Sequence, residues 1–507
     1  MTATPLTATP VPLDGGAVDW TARAAELSID GRAVIDGHRV EAQDGATIAV
    51  VSPGSLRPLT DLAAGTVVDV DRAVAIARAT FASGVWSRIG ASERGAALVR
   101  LADLILAHLD ELALLETLDS GKPIAQTRTV DVPGAAETFR WYGELADKRH
   151  GEIPATPPGS TALVRRVPLG VVGAITPWNY PLEIAAWKLA PALAAGNSVV
   201  HKPAAETSLT ALRLADLALE AGIPAGVLNV VPGRGSVVGN RIARHPGIDV
   251  LAFTGSTAVA KQLMVDAGQS NMKRVALEAG GKSANLVFAD ADLPLAAAKA
   301  AFGAFYNQGQ VCSANSRILI QRAVHDEFVA LLADAALAYE PNDPLAGSAG
   351  NGSLISRAHA DDVSRAIAQA ATDGDLVHGG ERVTFTGSDA YLRPAIVTGL
   401  GADHDLHRVE VFGPLVAVLA FDDEDEAVRL ANATEYGLAA SLWTGDFGRA
   451  HRVADRLVAG TVSVNTVDAL GLTTPFGGFG QSGFGRDLSR HALDNYTDWK
   501  TTWFQHG

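Results

Sequence analysis

One cysteine, Cys312, occurs in the 507 residues, inside the stretch FYNQGQVCSANSR at 305–317. A lone thiol excludes an internal disulfide and fits a reducing compartment, so a cytoplasmic protein is expected. As a thiolate it is a nucleophile, provided its surroundings favour that form. Asn307, Gln308, Gly309 and Gln310 precede it at a helix-to-strand break, where backbone amides can be left free. Taken alone, a cysteine also reads as a small buried hydrophobe. No local His signature of a cysteine hydrolase accompanies it, so a carboxylate is the alternative base. Glu278 ends a predicted strand and is followed by Gly280 and Gly281, which allow close approach. It reads equally as an ion-pair partner. Asn179, at another strand end, offers an amide for an oxyanion, or simply holds a turn. The histidines are scattered, HDLH at 404–407 reads as a surface loop, and no metal site is expected.

The elements that must position these groups follow from the pattern after Val167. Apolar runs LGVVGAIT, NSVVHK, GVLNVV, VLAFT and KRVALEA alternate with amphipathic segments such as PLEIAAWKLAPALAAG and STAVAKQLMVDAG. Buried strands alternating with helices predict an α/β fold with a doubly wound parallel sheet. Ligands of such sheets lie beyond the carboxyl ends of the strands. Those ends carry Thr176 to Asn179, Lys202, Gly233 to Gly235, Thr254 to Ser256 and Glu278 to Gly281. FTGST opening a helix suits pyrophosphate, because helix N-termini present free amides. GRGSVVG, which includes Gly235, has one residue too many for the usual dinucleotide fingerprint. A second β/α alternation follows Cys312, from RILIQ to TVSVN. STALVRRVP (160–168) and the late DWKTTWFQ belong to neither core; as strands they need a partner edge, which a second subunit can supply.

The ordered set TPWNYP, HKPA, FTGST, LEAGGK, NQGQVCSA, EVFGP and PFGGFGQSGFGR resembles the signatures of the NAD(P)-dependent aldehyde dehydrogenases. The resemblance implies Cys312 as nucleophile, Glu278 as base and Asn179 as oxyanion donor. It places Lys202 and Glu410 at the riboses, Phe412 beside the nicotinamide, and Thr176, Trp178, Gly235 and Ser256 around the dinucleotide. Tyr180, Trp187, Tyr306 and Phe476 are implied as the lining of a substrate tunnel, with Glu116 and Asp119 at its mouth. The implied organisation is a disordered tail at 1–19, a dinucleotide domain at 20–147 and 168–278, a catalytic domain at 279–478, and an oligomerisation flap at 148–167 and 479–507. A homo-oligomer, tetramer or dimer, is expected. Within the family, DVPGAAETFRWYGELADK, DAGQSNMKRVALEAGGKSANLVFAD and GRDLSRHAL are similar to the γ-glutamyl-γ-aminobutyraldehyde dehydrogenases of putrescine breakdown. An ω-aminoaldehyde, free or γ-glutamylated, is therefore the expected substrate, ahead of betaine-type or broad-specificity oxidation.

Two departures bear on the cofactor. The usual K-P-S-E reads Lys202-Pro203-Ala204-Ala205, and Ala260 replaces a glycine in the helix that FTGST opens. NAD with measurable NADP use is expected. A thiol acyltransferase or hydrolase is the rival from another class, and a coenzyme A-acylating dehydrogenase the nearer one. The net charge of −15 argues against nucleic acid, and no apolar run is long enough to span a membrane.

Overall fold

The computed structural model describes residues 18–347 and 350–506. The expected tail at 1–19 lies outside these apart from residues 18 and 19, and the first helix is Trp20–Glu26.

An eight-stranded sheet is built on five parallel strands. In space they run Leu228–Val230, Ser198–Lys202, Val171–Ile175, Val250–Thr254 and Arg274–Glu278. The first four are buried along their whole length, as expected of apolar runs covered by helices on both faces. Counted along the chain, the order is third, second, first, fourth, fifth. The winding therefore reverses at Val171–Ile175, whose carboxyl end opens the crevice where ligands of doubly wound sheets collect. Helices Pro181–Ala194, Leu209–Glu220 and Thr257–Gln269 make crossovers. Pro181 at the first turn presets the helical φ and removes an N–H that would have no partner.

A seven-stranded sheet forms the second core, in the order Asp375–His378, Ala395–Thr398, Leu415–Phe421, Arg317–Gln321, Ala284–Val287, Ala439–Trp443 and Thr461–Val464. All its pairs are parallel except the first.

Ser160–Pro168 and Thr497–Gln505 pair with each other, antiparallel along their full length, as a two-stranded sheet, so one edge of each is satisfied within the chain. One part of the chain departs from expectation. Residues 479–484, expected in the flap, instead join other sheets. Phe479–Gly480 pairs with Tyr436–Gly437, and Gly483–Phe484 closes the edge of the first sheet against Leu277 and Glu278. Glycine makes that closure possible, since a Cβ on Gly483 would collide with the Leu277 carbonyl.

Candidate active site

Cys312 follows an unusual stretch of backbone. Asn307 (φ 49), Gln308 (φ 56) and Gly309 (φ 69) are consecutively left-handed. Non-glycine residues adopt that region at a cost of about 1–3 kcal/mol each, and only where surrounding contacts hold them. Here the Asn307 side-chain amide donates to the Asn179 carbonyl at 3.1 Å and to the Gln310 carbonyl at 3.2 Å. Gly309 is obligatory twice over, because a Cβ would also collide with the Gly413 carbonyl. Asn179 Nδ2 donates to the same Gln310 carbonyl at 2.9 Å, and an amide has a second hydrogen to give. The loop thus ties Asn179 to the residues just ahead of the thiol.

The thiol itself is partly exposed. Contrary to the expectation of a thiolate-favouring site, its ionisation is pushed well above the usual range. Desolvation is the main cause, followed by the carboxylates of Asp468, Glu410 and Glu278. The surrounding carboxylates oppose ionisation, and the Ser313 N–H acts against them. Glu278 is also held well above the ordinary carboxylate range, first by burial and then by Asp487, against the pull of Lys188 and Arg486. Neither of its carboxylate oxygens has a hydrogen-bond partner. It faces Gly477, where a Cβ would lie 2.5 Å from Oε1. Behind it, Lys188 Nζ and Asp487 Oδ2 form a buried ion pair at 2.5 Å.

The crevice at the strand ends fits a dinucleotide. Lys202 is buried at the end of its strand, makes no hydrogen bond through Nζ, and is pulled down to about 8 by desolvation, with Glu206 opposing. Ser256 caps helix Thr257–Gln269, and its hydroxyl accepts from the Val259 N–H. Gly235 opens a helical turn with free space where a Cβ would stand. The Thr176 hydroxyl is hydrogen-bonded to the His201 ring Nε2 at 2.9 Å. Glu410 Oε1 accepts from the Gly281 N–H at 3.0 Å, and desolvation raises its carboxyl to about 7. Phe412 (φ 59) packs edge-on to Trp178 at 5.2 Å. Glu410 and Phe412 line a cleft together with Gly281 and Gly309. Ala260 is buried within an apolar core cluster. Ala205 is half-buried beside exposed Glu206.

Of the four implied tunnel residues, Tyr180, Trp187 and Phe476 share one apolar cluster with Cys312, and the Trp187 and Phe476 rings meet edge-on at 5.4 Å. Tyr306 lies outside that cluster but close enough to act on Tyr180; its ring is tilted against Phe302 at 4.8 Å, and its buried hydroxyl is unpaired among the described residues. Glu116 and Asp119 are not at a mouth. They are 0% and 1% exposed and accept the N–H groups of Leu182 and Leu209. Residues 112–120 are buried on every face of their helix, so these acids cap neighbouring helices from inside the core. The HDLH loop is only half at the surface, because His407 is buried.

The family model described as "Aldehyde dehydrogenase family" matches residues 40–502. The chain belongs to the aldehyde dehydrogenase family. It is 49% identical over 485 residues to the NADP/NAD-dependent aldehyde dehydrogenase PuuC of Escherichia coli, covering 96% of this chain and 97% of that one. It is 45% identical to the aminoacetaldehyde dehydrogenase of Pseudomonas aeruginosa, over 96% and 98% of the two chains. Among solved structures, the γ-glutamyl-γ-aminobutyraldehyde dehydrogenase of Burkholderia cenocepacia superposes with a TM-score of 0.95 at 49% identity, covering 96% and 99%. This aldehyde dehydrogenase is an NAD(P)-dependent oxidoreductase.

Sequence reasoning missed several groups that the aldehyde dehydrogenase brings to the site. Asp468 Oδ1 accepts from the Ser313 hydroxyl at 2.7 Å, next to the thiol. His359 Nε2 donates to the Phe412 carbonyl at 2.8 Å, and the ring packs against Trp178. The Lys188–Asp487 pair joins a helix to a segment almost three hundred positions away. A lone His or Asp in a loop gives no signal of its own. The lysine gave one: a charged residue in the middle of an otherwise apolar helix demands a buried partner.

Proposed function

We propose that the enzyme oxidises ω-aminoaldehydes, of the 4-aminobutyraldehyde type, to the carboxylic acid by way of a thioester on Cys312. The observation that carries this reading is the joint packing of Cys312 with Tyr180, Trp187 and Phe476, with the unpaired Glu278 carboxyl close enough to influence the thiol. The names of the similar aminoacetaldehyde and γ-glutamyl-γ-aminobutyraldehyde dehydrogenases support the substrate class. An aromatic wall holds a methylene chain, and its ring faces attract a cation by about 0.5–2 kcal/mol.

In the proposed sequence, Cys312 Sγ passes its proton to the Glu278 carboxylate, which releases it to solvent, and bonds to the aldehyde carbon. The developing oxyanion is met by the second hydrogen of Asn179 Nδ2 and by the Cys312 N–H. A nicotinamide bound in the crevice would supply the hydride acceptor that oxidation of the adduct to a thioester requires. Glu278 then takes a proton from water, whose oxygen attacks the thioester carbon. The C–S bond breaks, the proton held by Glu278 passes to the departing sulfur, and the acid leaves as the thiol is restored. A carboxyl held above the ordinary range suits this task, because it takes up a proton more readily than an ordinary carboxylate. Lys202 and Glu410 are assigned to the riboses, Phe412 to the nicotinamide side, Trp178 and Ser256 to the pyrophosphate, and Thr176 and Gly235 to the rest of the dinucleotide.

We assign residues 20–147 with 168–278 to dinucleotide binding and 279–478 to catalysis. The ribbon of Ser160–Pro168 and Thr497–Gln505 is taken as the oligomerisation surface, with Trp499, Trp503 and Phe504 exposed along it. Among the described residues no helix is long and apolar enough to cross a membrane; a cytoplasmic homo-oligomer is the state proposed. The test is an aldehyde panel run with NAD and with NADP. Higher kcat/KM for aminoaldehydes than for acetaldehyde, benzaldehyde or an arylacetaldehyde is expected, with Trp187→Ala damaging the amino substrates most. A preference for unsubstituted or aromatic aldehydes removes the substrate assignment. Ester cleavage without any reduced cofactor would favour the thiol hydrolase instead.

A further inference from the structure

The aminoaldehyde reading, on which this inference rests, does not say what meets the amino group. Glu183 stands in the first turn of helix Pro181–Ala194, four residues ahead of Trp187 and on the same face. Trp187 belongs to the cluster that holds Cys312. On the other side of Glu183 lies helix Val132–Leu145, and Gly134 makes the space for the carboxylate: a Cβ there would come within 2.9 Å of Glu183 Oε1. Glu183 is partly exposed, and its carboxylate takes part in no hydrogen bond or ion pair among the described residues. The helix dipole favours an acid at this position but does not explain why a neighbouring helix gives up a side chain to admit it. An apolar residue would fill the gap with no desolvation cost.

Other acidic and polar groups face the same space. Asp131 is fully buried and leaves Oδ2 without a partner, and it acts on Glu183, Tyr180 and Tyr306 alike. The buried Tyr306 hydroxyl is also unpaired. Asp468, fixed in a left-handed backbone (φ 47) beside the thiol, acts on Glu183 and on Cys312. The nearby cation, Lys122, is already engaged by an ion pair with Asp131 and lies over the Tyr180 ring at 3.5 Å. The space is therefore acidic and has polar atoms in want of a donor.

We infer that Glu183, in the room left by Gly134, is the subsite for the substrate's ω-ammonium, with Asp468 keeping the approach to Cys312 negative. Glu183 and Trp187 are separated by about 6 Å of helical rise, a span that three or four methylenes bridge. Free aminoaldehydes are then preferred over N-acylated ones, whose amide carries no charge at this point.

The test compares 3-aminopropanal, too short to close a stable ring, with its uncharged isostere butanal. The wild type should favour the ammonium substrate in kcat/KM. Glu183→Gln, which keeps the shape, should lower the ratio of the two about tenfold or more, as loss of a charge-assisted hydrogen bond does. Propylammonium should inhibit butanal oxidation competitively in the wild type and much less in Glu183→Gln. If the wild type favours 3-aminopropanal and the ratio survives Glu183→Gln, the subsite is overturned while the aminoaldehyde reading stands. If the wild type favours butanal, the aminoaldehyde reading itself fails.

Discussion

The backbone carbonyl of Cys312 faces Gly281 so closely that any Cβ at 281 would collide with it. The N–H of the same glycine donates to Glu410 at 3.0 Å, so one residue spaces the nucleophile loop from a carboxylate assigned to the cofactor. Gly281→Ala should shift one or the other. A stability loss of about 1–3 kcal/mol is expected from overpacking, together with a rise in the KM for NAD and a fall in kcat. Melting curves and steady-state kinetics check this. An alanine variant with wild-type constants would mean that the loop is looser than it looks.

Cys312→Ser should abolish aldehyde oxidation while leaving dinucleotide binding in place, because serine keeps the small side chain and loses the nucleophilic sulfur. Cofactor binding followed by fluorescence, alongside the rate of cofactor reduction, separates the two effects. Residual turnover near the wild-type level would remove the thioester from the mechanism.

Glu278→Gln keeps the volume of a side chain whose oxygens have no partners to lose. Thioester formation should survive, and hydrolysis should become limiting. The expected trace is a rapid burst of reduced cofactor, stoichiometric with enzyme, followed by slow turnover. Unchanged steady-state rates would take the base role away from Glu278.

Ala205→Glu should raise the ratio of NAD to NADP use. A carboxylate there would accept from ribose hydroxyls and repel a 2′-phosphate, whereas the wild type has only exposed Glu206 in electrostatic reach of Lys202. Should the ratio stay where it was, position 205 lies away from the ribose.

The buried Glu116 carboxyl is raised to about 8, by desolvation and then by Asp131. A carboxyl raised on folding contributes stability that is present below its unfolded value, about 4.3, and is lost as pH climbs through the folded value. The wild type should therefore lose stability between about pH 4 and 8. Glu116→Gln stays neutral and can still accept the Leu182 N–H, so its melting temperature should depend less on pH and gain on the wild type at the alkaline end. Parallel curves of Tm against pH would contradict the assignment.

Much of the frame was legible because buried parallel strands have nothing polar to interrupt them. Val171–Ile175, Ser198–Lys202 and Val250–Thr254 read as apolar runs, and the polar residues that follow mark the crevice. Cys312 stood out by its solitude and Glu278 by the glycines after it. The acids Glu116 and Asp119 misled, because their segment reads as amphipathic whereas residues 112–120 are enclosed on all sides. Nothing in the sequence pairs Gly134 with Glu183: the glycine lies on one helix and the carboxylate on another, and only their packing makes the vacancy meaningful. The electrostatics of the thiol were equally hidden, since the carboxylates that oppose its ionisation come from three distant segments.

The ribbon of Ser160–Pro168 and Thr497–Gln505 joins residues as far as 345 positions apart. During synthesis its first strand, and the sheet edge at Glu278 that Gly483 later covers, emerge long before their partners exist. A nascent or prematurely ended chain therefore presents two unpaired strand edges to its neighbours, the geometry that invites aggregation. Loss of the final few dozen residues should in consequence be felt first as a failure to stay soluble at the ribosome, and only second as a missing surface.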